Sequence, residues 1–118
     1  MLTIRPEQMK ILSHEQVRKY VDRVAVHLKK YFPQRCEAQG DARLRDTIER
    51  GIRRAAGYGI TTEREACKFI HLMIVFGRDF DTDPRHSWAR EILRTANSPR
   101  ARVELLHRTA VRRLRRAR

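Results

Sequence analysis

The chain has few of the residues that mark membrane, secreted or loop-rich proteins. Its 118 residues include only 5 Gly, 4 Pro and 2 Cys, and no apolar run approaches the roughly 18 residues that cross a bilayer. Two cysteines do not make a disulfide framework, so Cys36 and Cys67 are interpreted as reduced, small hydrophobic residues. The start of the chain lacks the apolar core of a secretory signal. We therefore expect a cytoplasmic protein without stable membrane insertion.

The signatures of common catalytic and cofactor sites are also missing. There is no nucleophile elbow, no glycine-rich phosphate loop and no H-E-x-x-H pair of zinc ligands. Glu63 and Glu65 lie near one another, but they begin a predicted helix, where acidic side chains favour the positive end of the helix dipole. The sequence therefore predicts a protein that is not an enzyme and that holds no cofactor.

An acidic connector carries a weak signal for calcium. Asp79, Asp81 and Asp83 have the first spacings of an EF-hand loop, but Pro84 stands at the glycine position and Arg90 at the final glutamate position. We interpret these acids as solvated loop residues and helix caps, and as ion-pair partners for the arginines of the C-terminal segment.

A second weak signal concerns zinc. Cys67 and His71 stand four residues apart on one predicted helix and can share a metal ion, but two ligands are only half of a zinc site. Cys36 and one further histidine would have to converge on them, and nothing in the spacing requires this. The candidates for that histidine are His14, His27, His86 and His107. We expect a buried thiol beside a histidine, and no metal.

Apolar stripes at helical spacing predict an all-α fold, an irregular bundle of about five helices. Ser13 and Gln16 form a capping box for a first helix that runs to about Phe32, and Met9, Ile11 and Leu12 precede it as a short cover for the core. One helical turn follows over 34–39. Asp41 is the predicted N-cap of the next helix, which runs over 41–56 and has Gly51 on its apolar stripe, where a missing Cβ would let another helix approach closely.

The central helix of the bundle is predicted at about 62–76. Thr62 and Glu65 form its capping box, and its side chains are apolar around most of the circumference, with a narrow polar strip at Lys68 and His71. Asp83 and Pro84 then begin a helix that runs to about residue 96, with Trp88 and Ile92 facing inward. Ser98 and Pro99 begin the last one.

That last segment carries most of the charge. Residues 94–118 contain nine Arg and one acid, Glu104, a formal charge of +8 out of +13 for the whole chain. We divide the chain into a helical core domain over 1–97 and a basic amphipathic C-terminal helix over 98–118. The apolar face of that helix is predicted to be Val103, Leu106, Ala110 and Leu114. Its predicted partner-binding residues are Arg102, Leu105, Arg108, Arg112, Arg113, Arg115 and Arg116, with Leu105 exposed among the arginines.

Four uses of this basic helix compete. It could bind a partner protein, lie solvated over its own core, contact nucleic-acid phosphates or rest on a membrane surface. Nucleic-acid binding would use arginines on one helical face, extended by Arg43, Arg45, Arg50, Arg53 and Arg54 of the 41–56 helix, but the helix has no aromatic residue to stack on bases. A membrane role lacks Trp or Phe anchors. Arg also outnumbers Lys by 22 to 5, a ratio that a GC-rich genome produces as well.

Several short runs together resemble a known group of proteins. They are Ile4–Met9, His27–Leu28 with Phe32–Pro33, Gly51–Ile52, Tyr58–Ile60, Glu65–Cys67, Leu72–Met73, Phe76–Asp81 and Trp88–Ala89. Over about residues 3–93 the chain resembles small, uncharacterised bacterial helical proteins that accompany type VI secretion effectors and other polymorphic toxins. The resemblance implies an accessory or adaptor role without catalytic residues, and the basic tail departs from it. The predicted function is a non-enzymatic protein-interaction module that serves a secreted effector or toxin, and the alternative is a nucleic-acid-binding module.

Overall fold

The computed structural model describes residues 14–95 and 98–116, and this part of the chain is built from helices without a β-strand. In chain order they are α1 (His14–Tyr31), α2 (Pro33–Gln39), α3 (Asp41–Gly57), α4 (Glu63–Phe76), a 3-10 turn (Pro84–His86), α5 (Ser87–Thr95) and α6 (Pro99–Arg116). The predicted all-α bundle is therefore confirmed. The single turn expected over 34–39 is a full short helix, and the helix expected from Pro84 begins as a 3-10 turn.

Local capping signals begin three of these elements as predicted. The Thr62 hydroxyl accepts a hydrogen bond from the Glu65 N–H at 3.2 Å, and the Ser98 hydroxyl accepts one from the Ala101 N–H at 3.1 Å. The Asp83 carboxylate caps the 3-10 turn by accepting a hydrogen bond from the Arg85 N–H at 2.9 Å. Each satisfies a backbone donor that the helix itself leaves free.

The predicted cap of α3 is wrong, and that of α1 falls outside the described residues. Gly40, with φ +80°, precedes α3, and Asp41 is the first helical residue without a capping bond. The Asp41 carboxylate instead pairs with Lys29 Nζ of α1 at 2.8 Å, so a charge on the neighbouring helix draws it away from the backbone. The expectations for Ser13 and for the short cover at residues 9–12 lie outside the described part of the chain.

Helix α4 is the centre of the bundle, as predicted, and packs against α3 and α6. Its buried side chains are Ala66, Phe69, Ile70, Leu72, Met73 and Ile74. The burial is less complete at its C-terminal end, where Phe76 is half-buried and meets Trp88 edge-on, with ring centroids 5.4 Å apart. Trp88 is buried and Ile92 packs against the core, which confirms the predicted inner face of α5.

Gly51 lets α3 and α4 come into close contact. A Cβ placed on Gly51 would lie 2.6 Å from Ile70 Cγ1 and 2.8 Å from Met73 Sδ, both on α4. Side chains in such contact keep to at least about 3.5 Å between carbons. The predicted close approach of a second helix at this glycine is confirmed.

The acidic connector 79–83 is held by α3 rather than by the C-terminal arginines. Asp79 pairs with Arg50 at 3.0 Å and with Arg54 at 2.6 Å. Asp81 is 1% exposed and accepts from Arg54 at 2.8 Å and from the Tyr58 hydroxyl at 2.7 Å. The ion-pair role was predicted but the partners were wrong, because the connector leaves the end of α4, which lies along α3.

Within the described residues, no helix combines the length and the apolar character needed to cross a bilayer.

Candidate interaction surface

Helix α6 docks on the core through one face only. Val103, Leu106 and Ala110 are buried against α4 and α5. Leu114, predicted on the same buried face, is 42% exposed. That part of the prediction is wrong, because the last turn of α6 extends beyond the buried contacts, which end at Ala110. The predicted exposure of Leu105 is confirmed.

Beside the docked face runs an open groove of about 740 Å³, which we call the α6 groove. Its lining residues are Lys68, Glu104, His107, Arg108, Val111, Arg112, Arg115 and Arg116. All come from α6 except Lys68, which comes from α4. The lining holds five basic side chains and one acid, a formal charge of +4 with His107 neutral. The acid, Glu104, already faces Arg100 at 3.3 Å on its own helix.

A smaller cavity of about 260 Å³ continues the groove along the α4–α6 boundary. It shares Lys68 and Glu104 with the α6 groove and reaches Thr62 and Arg100. From Arg100 to Arg116 the helix rises about 24 Å, at about 1.5 Å per residue. The combined surface is therefore long enough for a helix of four turns or for a short extended segment.

The positive charge of the α6 groove has no counterpart within the described residues. Arg108, Arg112, Arg115 and Arg116 are exposed and make no ion pair there. Arg108, Arg112 and Arg116 stand four residues apart in turn, so neighbouring side chains on one helix face repel each other. An anion bound along this face would relieve that repulsion.

The basic residues of α3 behave differently and do not extend this surface. Arg45 pairs with Asp22, Arg50 and Arg54 pair with the acidic connector, and Arg53 pairs with Glu49. Four of the five arginines expected to enlarge a basic face are thus matched by acids, and Arg43 is the one of the five that forms no ion pair within the described residues. The excess charge is concentrated on α6.

Not all of the predicted partner-binding residues lie in the α6 groove. Arg102 donates to the Tyr58 carbonyl oxygen at 2.6 Å and so ties α6 to the end of α3. The Arg113 guanidinium lies over the Trp88 ring, 5.2 Å from its centroid, a cation–π contact within the molecule. Leu105 is exposed but outside the groove lining. Arg108, Arg112, Arg115 and Arg116 are the predicted residues that the structure brings together.

Lys68, Glu104, His107 and Val111 also line this surface but are not among the partner-binding residues predicted from the sequence. Lys68 lies on the polar strip of α4, which the helical phase of the sequence does reveal. Its position beside the arginines depends on how α4 and α6 pack, which no local pattern specifies.

A separate cluster of metal-ligand types lies between α1 and α4. His27 Nε2 is 2.8 Å from His71 Nε2, and Cys67 Sγ is 3.7 Å from His71 Nε2. The ligand atoms of all three residues lie within 4.8 Å of one another. The sequence places Cys67 and His71 one helical turn apart, and a full zinc site would have needed Cys36 and one of His14, His27, His86 and His107 as well. The structure supplies His27, whereas Cys36 is buried on α2 and does not join them.

Burial sets the protonation of this cluster. It lowers the pKa of His71 to about 4, with further contributions from the neighbouring His27 and His107. Burial also raises the pKa of the Cys67 thiol. Near neutral pH the cluster therefore consists of a neutral His71 and a protonated Cys67.

No protein-family model, curated protein or solved structure matches this chain.

Proposed function

We propose that this chain is a non-enzymatic binding module whose α6 groove receives an acidic, amphipathic segment of a partner protein. The observation that carries the proposal is the row of exposed arginines at 108, 112, 115 and 116 without acidic partners in the described chain. By contrast, Arg23 and Lys29 of α1 and Arg45 and Arg50 of α3 are each matched by an acid.

The apolar residues around the groove favour a protein segment over a simple polyanion. Val111 lines the groove, and Leu105, 39% exposed, stands three residues before Arg108. An amphipathic helix presents acidic and apolar residues at intervals of three and four. Such a helix could pair its acids with the arginines and place apolar residues on Val111 and Leu105.

Nucleic acid is the second candidate, because arginines spaced by one helical turn can contact successive phosphates. Against it, no Phe, Tyr or Trp is among the described residues that line the groove, so stacking on bases would be limited to the His107 ring and the arginine planes. Binding would then depend mainly on phosphate contacts.

The resemblance to proteins that accompany secretion effectors gives the proposal a narrower form. In that form the partner is a secreted effector or toxin, and the two proteins bind in the cytoplasm. An effector or secretion gene adjacent to this one would support the narrower form. A replication or recombination operon would favour the nucleic-acid candidate.

The test compares two triple variants with equal loss of charge. The groove variant carries Arg108→Gln, Arg112→Gln and Arg115→Gln. The control variant carries Arg18→Gln, Arg43→Gln and Arg94→Gln, at exposed positions outside the groove. Each chain is used to co-purify proteins from the organism of origin, with identification by mass spectrometry and binding measured on the purified partner.

We expect a partner with an acidic amphipathic segment that the wild type and the control variant retain. The groove variant should bind it about 30-fold more weakly, since three exposed charge contacts contribute about 0.7 kcal/mol each. Equal binding by both variants would refute the role of the groove.

The same chains should be titrated with labelled duplex and single-stranded DNA at two salt concentrations. Tight binding whose logarithmic salt slope falls by about 2.7 in the groove variant, for three lost contacts to duplex phosphates, would replace the protein partner with nucleic acid.

A further inference from the structure

We propose that His27, Cys67 and His71 form a binding site for one zinc-class divalent ion between α1 and α4, with a fourth coordination position open to water. The inference does not depend on the proposed function of the α6 groove. Three possible ligands, two imidazoles and one thiol, converge at the proposed site from two helices. The two histidines are 44 residues apart in sequence.

Two of the three distances between ligand atoms are near those of a tetrahedral zinc site, and the third, from His27 to Cys67, lies within 4.8 Å. With Zn–N of about 2.05 Å and Zn–S of about 2.3 Å, such a site separates two nitrogens by about 3.3 Å and a nitrogen from a sulfur by about 3.6 Å. The Cys67 Sγ to His71 Nε2 distance, 3.7 Å, already has this value. The two Nε2 atoms, 2.8 Å apart, would have to separate by about half an ångström, and His27 and Cys67, within 4.8 Å of each other, would have to approach to about 3.6 Å.

The backbone around the site is held in place by contacts that do not involve the ligands. Cys67 and His71 are one turn apart on α4, so their separation is set by the helix. Helix α1 is joined to the start of α4 by the Tyr20 hydroxyl, which donates to the Glu63 carbonyl at 2.9 Å, and by an Arg23–Glu63 ion pair at 2.7 Å. His27 is thereby kept opposite the other two ligands.

The surroundings favour a borderline-soft ion over calcium or magnesium. No carboxylate belongs to the cluster, and two imidazoles with one thiol suit zinc or cobalt, whereas magnesium and calcium require oxygen ligands. Aromatic rings cover the histidines: Phe32 meets His71 edge-on at 5.5 Å, and Tyr31 packs on His27 at 4.7 Å between centroids.

Coordination would replace the hydrogen bond between the two imidazoles. At present one Nε2 donates to the other, so the two rings hold different tautomers. With the ion bound, both Nε2 atoms present lone pairs and each ring carries its proton on Nδ1. The Cys67 thiol loses its proton to solvent as the metal–sulfur bond forms, and the ion takes its place with no change in oxidation state.

The test uses the full-length chain without an affinity tag, freed of metal with a chelator and kept reduced. Co²⁺ is the probe, because a cobalt–thiolate bond gives a charge-transfer band in the near ultraviolet and four-coordinate cobalt gives intense visible bands. We expect one Co²⁺ per chain and displacement by Zn²⁺. The ligand variants are Cys67→Ser, His27→Asn and His71→Asn. The matched controls are Cys36→Ser and His86→Asn, which remove the same chemical groups outside the cluster.

Cys67→Ser should abolish the charge-transfer band, and each histidine variant should weaken cobalt binding on the order of 100-fold or more, at least as much as the loss of an outer-shell partner. The controls should bind like the wild type. Absence of a sulfur-to-cobalt band, or its persistence in Cys67→Ser, would overturn the proposal.

A second measurement on the wild-type chain avoids any folding defect in the variants. Zn²⁺ should slow alkylation of Cys67 by iodoacetamide, located by peptide mass spectrometry, and raise the melting temperature. Equal alkylation of Cys67 with and without Zn²⁺, at a zinc concentration that saturates the cobalt site of the same sample, would also overturn it.

Discussion

Replacement of Gly51 by alanine tests the closest contact in the fold. In a helix interior this change is ordinarily favourable by about 0.5–1 kcal/mol, because alanine loses less backbone entropy on folding. Here the new methyl group would stand 2.6 Å from Ile70 Cγ1 and 2.8 Å from Met73 Sδ. Ile70 is fully buried, and its Cγ1 is a branch of a stiff side chain that cannot swing away. Relief therefore requires α3 and α4 to move apart.

The two effects have opposite signs and the contact is the larger. Overpacking a filled core costs about 1–3 kcal/mol, so the net loss expected for Gly51→Ala is about 1–2 kcal/mol. For a chain of this size that lowers the melting temperature by about 4–8 °C. The assay is urea unfolding followed by circular dichroism, with a shift in midpoint at constant slope.

Gly57→Ala is the matched control, since Gly57 ends the same helix and a Cβ there would meet no atom within 4 Å. It should leave stability unchanged or raise it. The double variant Gly51→Ala, Ile70→Ala removes the obstructing carbon, so it should be less destabilised than the sum of its single changes. If Gly51→Ala were as stable as the wild type, the close approach of α3 and α4 would be refuted.

Three further predictions concern other contacts. Asp81→Asn should lower the free energy of unfolding by about 2–3 kcal/mol, which is less than the full cost of breaking a buried ion pair because its partner Arg54 is 22% exposed. An unchanged urea midpoint would contradict the buried pairing. The pKa of Asp83 is held down to about 2 first by the Arg85 side chain and then by the Arg85 backbone N–H, so carboxyl NMR of Arg85→Gln should show it rising toward 3.8, and an unshifted titration would exclude the pair. The contribution of this cap to folding stability is present above about pH 4 and is lost as pH falls through about 2. Leu106→Ala should cost about 2–5 kcal/mol and Leu114→Ala under about 0.5 kcal/mol, and equal urea midpoints for the two would contradict the docking of α6.

Features that depend on neighbours along one helix could be predicted from the sequence. The caps at Thr62 and Ser98 involve residues three apart, and the exposure of Leu105 follows from its phase on α6. The apolar circumference of 62–76 likewise identified α4 as the central helix. Gly51 falls on the apolar stripe of α3, where a glycine weakens the helix unless it lets another helix approach closely, so the sequence predicts that close approach.

Features that depend on how helices pack could not be read in the same way. His27 is 44 residues from His71. The partners of Asp79 lie on α3, 29 and 25 residues earlier in the chain. The exposure of Leu114 depends on where the opposing core surface ends. The arginines of the α6 groove could be predicted from the charge of the C-terminal segment. Lys68 could not, because its place in the groove depends on how α4 packs against α6.

The ion pairs of α1 and α3 also have a consequence for kinetics. Many charges of these helices are paired, whereas Arg108, Arg112, Arg115 and Arg116 make no ion pair within the described residues, so the positive field that reaches into solvent is strongest along α6. It turns an approaching anionic molecule toward α6 before contact. The association rate should therefore fall as salt shortens the Debye length, which is about 8 Å at 0.15 M. Dissociation, governed by contacts at short range, should change much less.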